Sequence, residues 1–124
     1  MNETRRAKVE QECAAAEQSL RADLRRVLPR IAQHGNQLFL NSEWNRHKMP
    51  LRYFDSESEP ILAAARTCER LHAALGLPLE SSAANLFFAA CTEADSEHEH
   101  RRGPRRLAEW LLVELDRLEA HTRR

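Results

Sequence analysis

Apolar residues in the first quarter of the chain recur at helical spacing. Val9, Cys13, Ala16, Leu20, Leu24, Val27 and Ile31 are separated by four, three, four, four, three and four positions. This stripe predicts an amphipathic helix from about Glu3 to Gln33, with Glu17 and Arg21 as an i,i+4 ion pair on another side. Pro29 interrupts the pattern. It removes an amide donor and crowds the carbonyl of Arg25, so a kink or a restarted helix is expected there. A helix restarting at Pro29 would run on past Gly35 through Leu38 and Phe39.

Three further segments follow the same logic. Ile61, Ala64, Cys68, Leu71 and Leu75 form the stripe of a helix from about Glu59 to Leu75. Ser56 or Ser58 is placed to cap it, Pro60 lies in its first turn, and Gly76 and Pro78 end it. The segment from about Ser81 to Glu97 carries the run Leu86, Phe87, Phe88, Ala89, Ala90 and Cys91. Its alanines and lack of β-branched residues favour a central helix over a buried strand, with Phe87 in the core. A last helix is expected from Gly103-Pro104 to about Ala120, burying Leu107, Trp110, Leu111, Leu115 and Leu118. Together these predict one all-α domain over residues 1–124, an antiparallel bundle of four to five helices.

Length adds a prediction about assembly. An unbroken helix from Glu3 to Gln33 would be roughly 46 Å long, whereas a domain of this size is about 35 Å across. Either Pro29 breaks the helix or its surplus apolar face packs on a second copy. The expectation is a homodimer with Leu20 and Leu24 in the interface.

Between the first two helices lies a 23-residue connection, Gly35 to Glu57, holding four of the seven aromatics: Phe39, Trp44, Tyr53 and Phe54. Connections within compact domains are usually about 4–6 residues, and disordered segments lack aromatics. Two readings stand. In one, the aromatics cap the bundle core with the charges facing water. In the other, Trp44, Arg46, Met49, Arg52 and Tyr53 form a recognition patch, since these residue types are enriched at protein interfaces. Phe39 is expected to be buried in either case, and the two roles can coexist with Phe39 and Phe54 inward and Trp44 and Tyr53 partly outward.

Composition narrows the function classes. No apolar run approaches the roughly 18 residues of a membrane span, and the N-terminus lacks a signal-peptide core. The cytoplasm is the expected compartment. Arginine outnumbers lysine 17 to 2 beside abundant Ala and Leu, a bias suggesting a GC-rich bacterial source. Formal net charge is zero, which argues against a general nucleic-acid coat protein.

Chemistry is sparse. The chain has no nucleophile elbow, zinc-protease, P-loop or dinucleotide motif, so no catalytic residue is assigned. Cys13, Cys68 and Cys91 are odd in number and widely spaced, which implies no disulfide framework. Cys68 with His72, and Cys91 with Asp95 and His98, are the best zinc candidates. Their spacing lacks the familiar short ligand pairs, and no metal or cofactor is expected. The alternation in Glu97-His98-Glu99-His100 points its side chains to different faces.

Arg101, Arg102, Arg105 and Arg106 crowd the positive end of the last helix, where cations are disfavoured. Glu93, Asp95, Glu97 and Glu99 immediately precede them. The charges either fold back as an ion-pair network or leave Arg102, Arg105 and Arg106 to engage a partner. The sequence therefore predicts a non-enzymatic, protein-binding regulator: an inhibitor, anti-activator or adaptor. The alternatives are a nucleic-acid-binding regulator using the arginines, and a zinc-binding helical protein.

Overall fold

The computed structural model describes residues 2–34, 55–95 and 102–122. They form four α-helices: α1 (Glu3–His34), α2 (Asp55–Leu75), α3 (Ala83–Asp95) and α4 (Pro104–Thr122). A 3-10 turn, Leu79–Ser81, joins α2 to α3, and the described residues contain no strand. The fold is an all-α helical bundle. Helix α1 packs on α2 and α4, and α3 bridges α2 and α4 while touching α1.

The stripes build one core. Leu20, Leu24, Val27 and Ile31 of α1 join Ile61, Cys68, Phe87, Cys91, Leu107, Leu111 and Leu115, all buried. Leu28, Ala65 and Ala108 are buried as well, widening each stripe beyond its predicted seam. A second cluster sets Cys13 against Leu71 and Leu75, with Val9 and Ala16 packed beside it. The start of α1 therefore lies beside the end of α2, an antiparallel pairing. Arg6 strengthens this contact by donating from Nη2 to the Leu75 carbonyl at 3.3 Å.

Pro29 does not end α1, and no new helix begins there. The proline removes only the bond to the Arg25 carbonyl, and it lies on the exposed side. Val27, Leu28 and Ile31 around it are buried, and their burial holds the helix on both sides of the gap.

The continuous helix was the premise for a dimer through Leu20 and Leu24, and this interface needs correction. Both side chains are 0% exposed within the subunit's own core. The stripe does not outrun the molecule, because the end of α2 covers it as far as Cys13. A homodimer would have to use another surface.

Helix boundaries differ in two places. Helix α2 begins at Asp55, so Ser56 and Ser58 lie inside it instead of capping it. Pro60 is then an interior proline near the helix start, and it forfeits the one bond to the Ser56 carbonyl. Helix α3 starts at Ala83, after the 3-10 turn, and ends at Asp95. The end of α2 follows expectation. Gly76 takes φ +67, Gly76 N–H donates to the Ala73 carbonyl at 3.1 Å, and Leu77 N–H to the His72 carbonyl at 2.9 Å. These two bonds make a Schellman cap.

Ser82 caps α3 locally. Its Oγ accepts the Asn85 N–H at 3.2 Å and donates to the Leu79 carbonyl at 2.7 Å. At the far end of the chain, Arg25 clamps α1 to α4. Its Nη2 lies 2.7 Å from Asp116 and 2.8 Å from Glu119. The hydrogen bonds to these two carboxylates raise the Arg25 pKa further, Glu119 contributing more.

Candidate functional site

An open groove of about 240 Å³ runs between α1, the end of α2 and the 3-10 turn. Cys13, Ala14, Leu75 and Leu77 supply apolar wall, and Glu10, Glu17, Arg21, His72 and Ser81 supply polar groups. Leu77 is 46% exposed at its edge. The groove exists because the glycine cap at Gly76 turns the chain sharply out of α2, and the following 3-10 turn returns it alongside α1.

Glu17 and Arg21 form the expected i,i+4 ion pair, 2.9 Å between Nε and Oε1. They are far less exposed than a solvent-facing pair, because the start of α3 closes over them. Glu17 Oε1 also accepts the Ala83 N–H at 2.7 Å. A carboxylate on α1 thus caps the N-terminus of α3, where the helix dipole favours negative charge. Its other oxygen, Oε2, is buried and has no partner.

His72 meets Cys13 across the helix pair, with Sγ 3.4 Å from Nδ1. The same nitrogen lies 2.7 Å from the Cys68 carbonyl oxygen. A carbonyl only accepts, so Nδ1 carries the proton and has no lone pair for the thiol of Cys13. Burial, and then the charge of Glu17, push the Cys13 thiol pKa up. Cys68 is fully buried and pushed up to about 12, first by that burial and then by Glu17 and Cys13. A nucleophilic or metal-binding cysteine needs its thiolate, and this environment favours the thiol at both positions.

The Cys68–His72 zinc pair is therefore corrected in its geometry. His72 bonds the Cys68 backbone and faces the sulfur of Cys13, which lies 59 positions away in sequence. Cys91 is buried in the main core. The side chain of Asp95 and residue His98 lie outside what the structure describes. Among the described residues, no group of three or more His, Cys, Asp or Glu is arranged to hold a metal ion.

The arginine cluster divides. Arg102 is tied to its own chain: Nη2 lies 2.6 Å and Nε about 3 Å from the Glu93 carboxylate, and its guanidinium stacks 4.5 Å over the Trp110 ring. Its backbone N–H also donates to Glu93 at 3.1 Å. Here the fold-back network forms, and Arg102 leaves the set of open cations. Arg105 and Arg106 are exposed, and no described acid pairs with either. The remaining candidates, Trp44, Arg46, Met49, Arg52 and Tyr53, lie outside the described residues, as does Phe39.

The hydrogen bonds from Arg102 hold the Glu93 carboxyl below its ordinary value of 4.5. A depressed folded pKa contributes stability above the unfolded value and loses it as pH falls through the folded one. The Arg102 Nε–H resonance should stay protected from exchange at neutral pH and lose protection only below the ordinary glutamate range. Loss of protection at or above the ordinary value would contradict the pairing.

Comparison with known protein families, curated proteins and solved structures gives no match for this chain.

Proposed function

We propose that this chain is a non-enzymatic regulator that binds another protein, as an inhibitor, anti-activator or adaptor, in the cytoplasm. The groove between α1 and α2 is the observation that carries this reading. Several of its polar groups are bonded within the chain: Glu17 to Arg21 and Ala83, and His72 to the Cys68 carbonyl. Ala14 and Leu77 remain open on its walls. An apolar centre with charge at its rim is the usual anatomy of a protein interface. Arg105 and Arg106 supply a second contact for an acidic partner surface, and the patch from Trp44 to Tyr53 has interface composition. No helix among the described residues is long and apolar enough to cross a membrane.

A nucleic-acid partner is the competing class, and salt separates the two. Phosphate contacts give a log–log slope of about −0.9 per neutralised phosphate on duplex DNA. Tying Arg102 to Glu93 removes one cation from such a surface, and zero net charge adds no steering. A gel-shift series should show no duplex retained at physiological salt. A retained complex with a steep slope, lost on Arg105→Ala with Arg106→Ala, would move the reading to nucleic acid.

A further inference from the structure

We infer that the groove between α1 and α2 receives a lysine side chain of a partner protein, its ammonium over Cys13 and its methylene stem along the apolar wall. The inference rests on the protein-binding reading and names the side chain by which the partner enters. Cys13 marks the middle of the groove. Glu10 stands three positions before it and Glu17 four after, so two carboxylates flank the same spot on α1. His72 faces that spot from α2, with Nδ1 3.4 Å from the sulfur. Because Nδ1 gives its proton to the Cys68 carbonyl, Nε2 keeps a lone pair. All three neighbours of the spot thus offer acceptors.

Each carboxylate is engaged through one oxygen only. Glu10 Oε1 accepts from Arg6 Nε at 3.0 Å, a half-exposed pair of the kind that solvent screens, so Glu10 can turn to a new cation. Glu17 Oε1 accepts from Arg21 and Ala83, while its Oε2 is a buried acceptor with no donor. Arg21, the guanidinium of the lining, stands eight positions from Cys13, about 12 Å along the helix axis. An ammonium carries three donors and no acceptor, which matches this set. Among the described residues the acceptors are not grouped closely enough to hold a metal ion, so the cation that fits arrives on a side chain with reach. A lysine stem covers apolar surface while its head meets polar groups, and Ala14, Leu75 and Leu77 supply that surface. A volume of about 240 Å³ takes one such side chain, and falls below the roughly 300–1,000 Å³ of small-molecule sites. The open mouth leaves the backbone on either side of the lysine in water.

The test is a nuclear magnetic resonance titration of the isotopically labelled full chain with the peptide Gly-Ser-Gly-Lys-Gly-Ser-Gly, acetylated and amidated at its ends. The comparison peptide carries the same lysine with its ammonium acetylated. The lysine peptide should shift the signals of Glu10, Cys13, Ala14, His72 and Leu77. It should bind roughly tenfold or more tightly than the acetyl-lysine peptide, as expected for a charge-assisted hydrogen bond. Glu10→Gln should remove most of that preference, and Leu77→Ser should weaken both peptides. Both side chains lie at the surface, so the melting temperature should hold in each variant. Equal binding of the two peptides, shifts elsewhere, or no shift at millimolar peptide would overturn the inference. So would butylamine binding as tightly as the lysine peptide, which would assign the groove to a small amine. If partner capture persists in those cases, only the lysine assignment fails. Loss of both would count against the protein-binding reading itself.

Discussion

Phe87→Ala should lower the stability of this protein by about 3–5 kcal/mol, the usual range for deleting a buried aromatic. Phe87 is 1% exposed, and its ring sits 6.0 Å from that of Phe88 at a tilt of 58°. It lies in the main cluster, to which all four helices contribute, so no single helix can move in to fill the vacancy. For a domain of this size the loss corresponds to a fall of roughly 10–20 °C in melting temperature. Total stabilities of about 5–15 kcal/mol mean the variant would keep only part of its margin. Thermal melting followed by circular dichroism measures it. A fall of only a degree or two would mean that Phe87 is not where the core closes.

Leu24→Ala should cost about 2–5 kcal/mol, and for the same reason Leu20→Ala should be comparable. Both residues are fully buried between α1 and the other helices. The pair also separates core from interface. An interface leucine, when truncated, changes the mass in solution at fixed concentration and has little effect on the folding of the subunit. A core leucine does the reverse. Light scattering should therefore give the same mass for wild type and for the folded fraction of Leu24→Ala, while urea denaturation shows the large loss. A halved mass with unchanged stability would restore the dimer interface predicted from the sequence.

The bundle was legible because apolar periodicity reports directly on which face a helix buries. Every residue of the α1 stripe from Cys13 to Ile31 is buried or packed against the core, as are Ile61, Cys68, Phe87 and Leu111. The Gly76 cap and the Pro104 start were legible too, since φ constraints act locally. Pro29 and Pro60 misled because the cost of a proline is fixed while the packing around it is a tertiary quantity. The groove was not legible in the sequence. Its polar residues are Glu10, Glu17 and Arg21 on α1, His72 on α2 and Ser81 in the turn, and only the antiparallel pairing brings them together. The i,i+4 spacing of Glu17 and Arg21 announced an ion pair. Nothing announced that Glu17 would reach 66 positions along the chain to cap α3. For Arg102 the sequence leaves a partner contact and an internal network as alternatives, and the acidic run before it is the signal for the network that forms.

The central claim is that this protein works by holding another protein against the groove. Site-specific photocrosslinking in cells of the native host tests it most directly. A benzophenone side chain placed at Leu77 should give one adduct of defined mass, and the same group at Val113, the comparably exposed apolar residue on α4, should not. No adduct at Leu77, or the same ladder of products from Leu77 and Val113, would contradict the account.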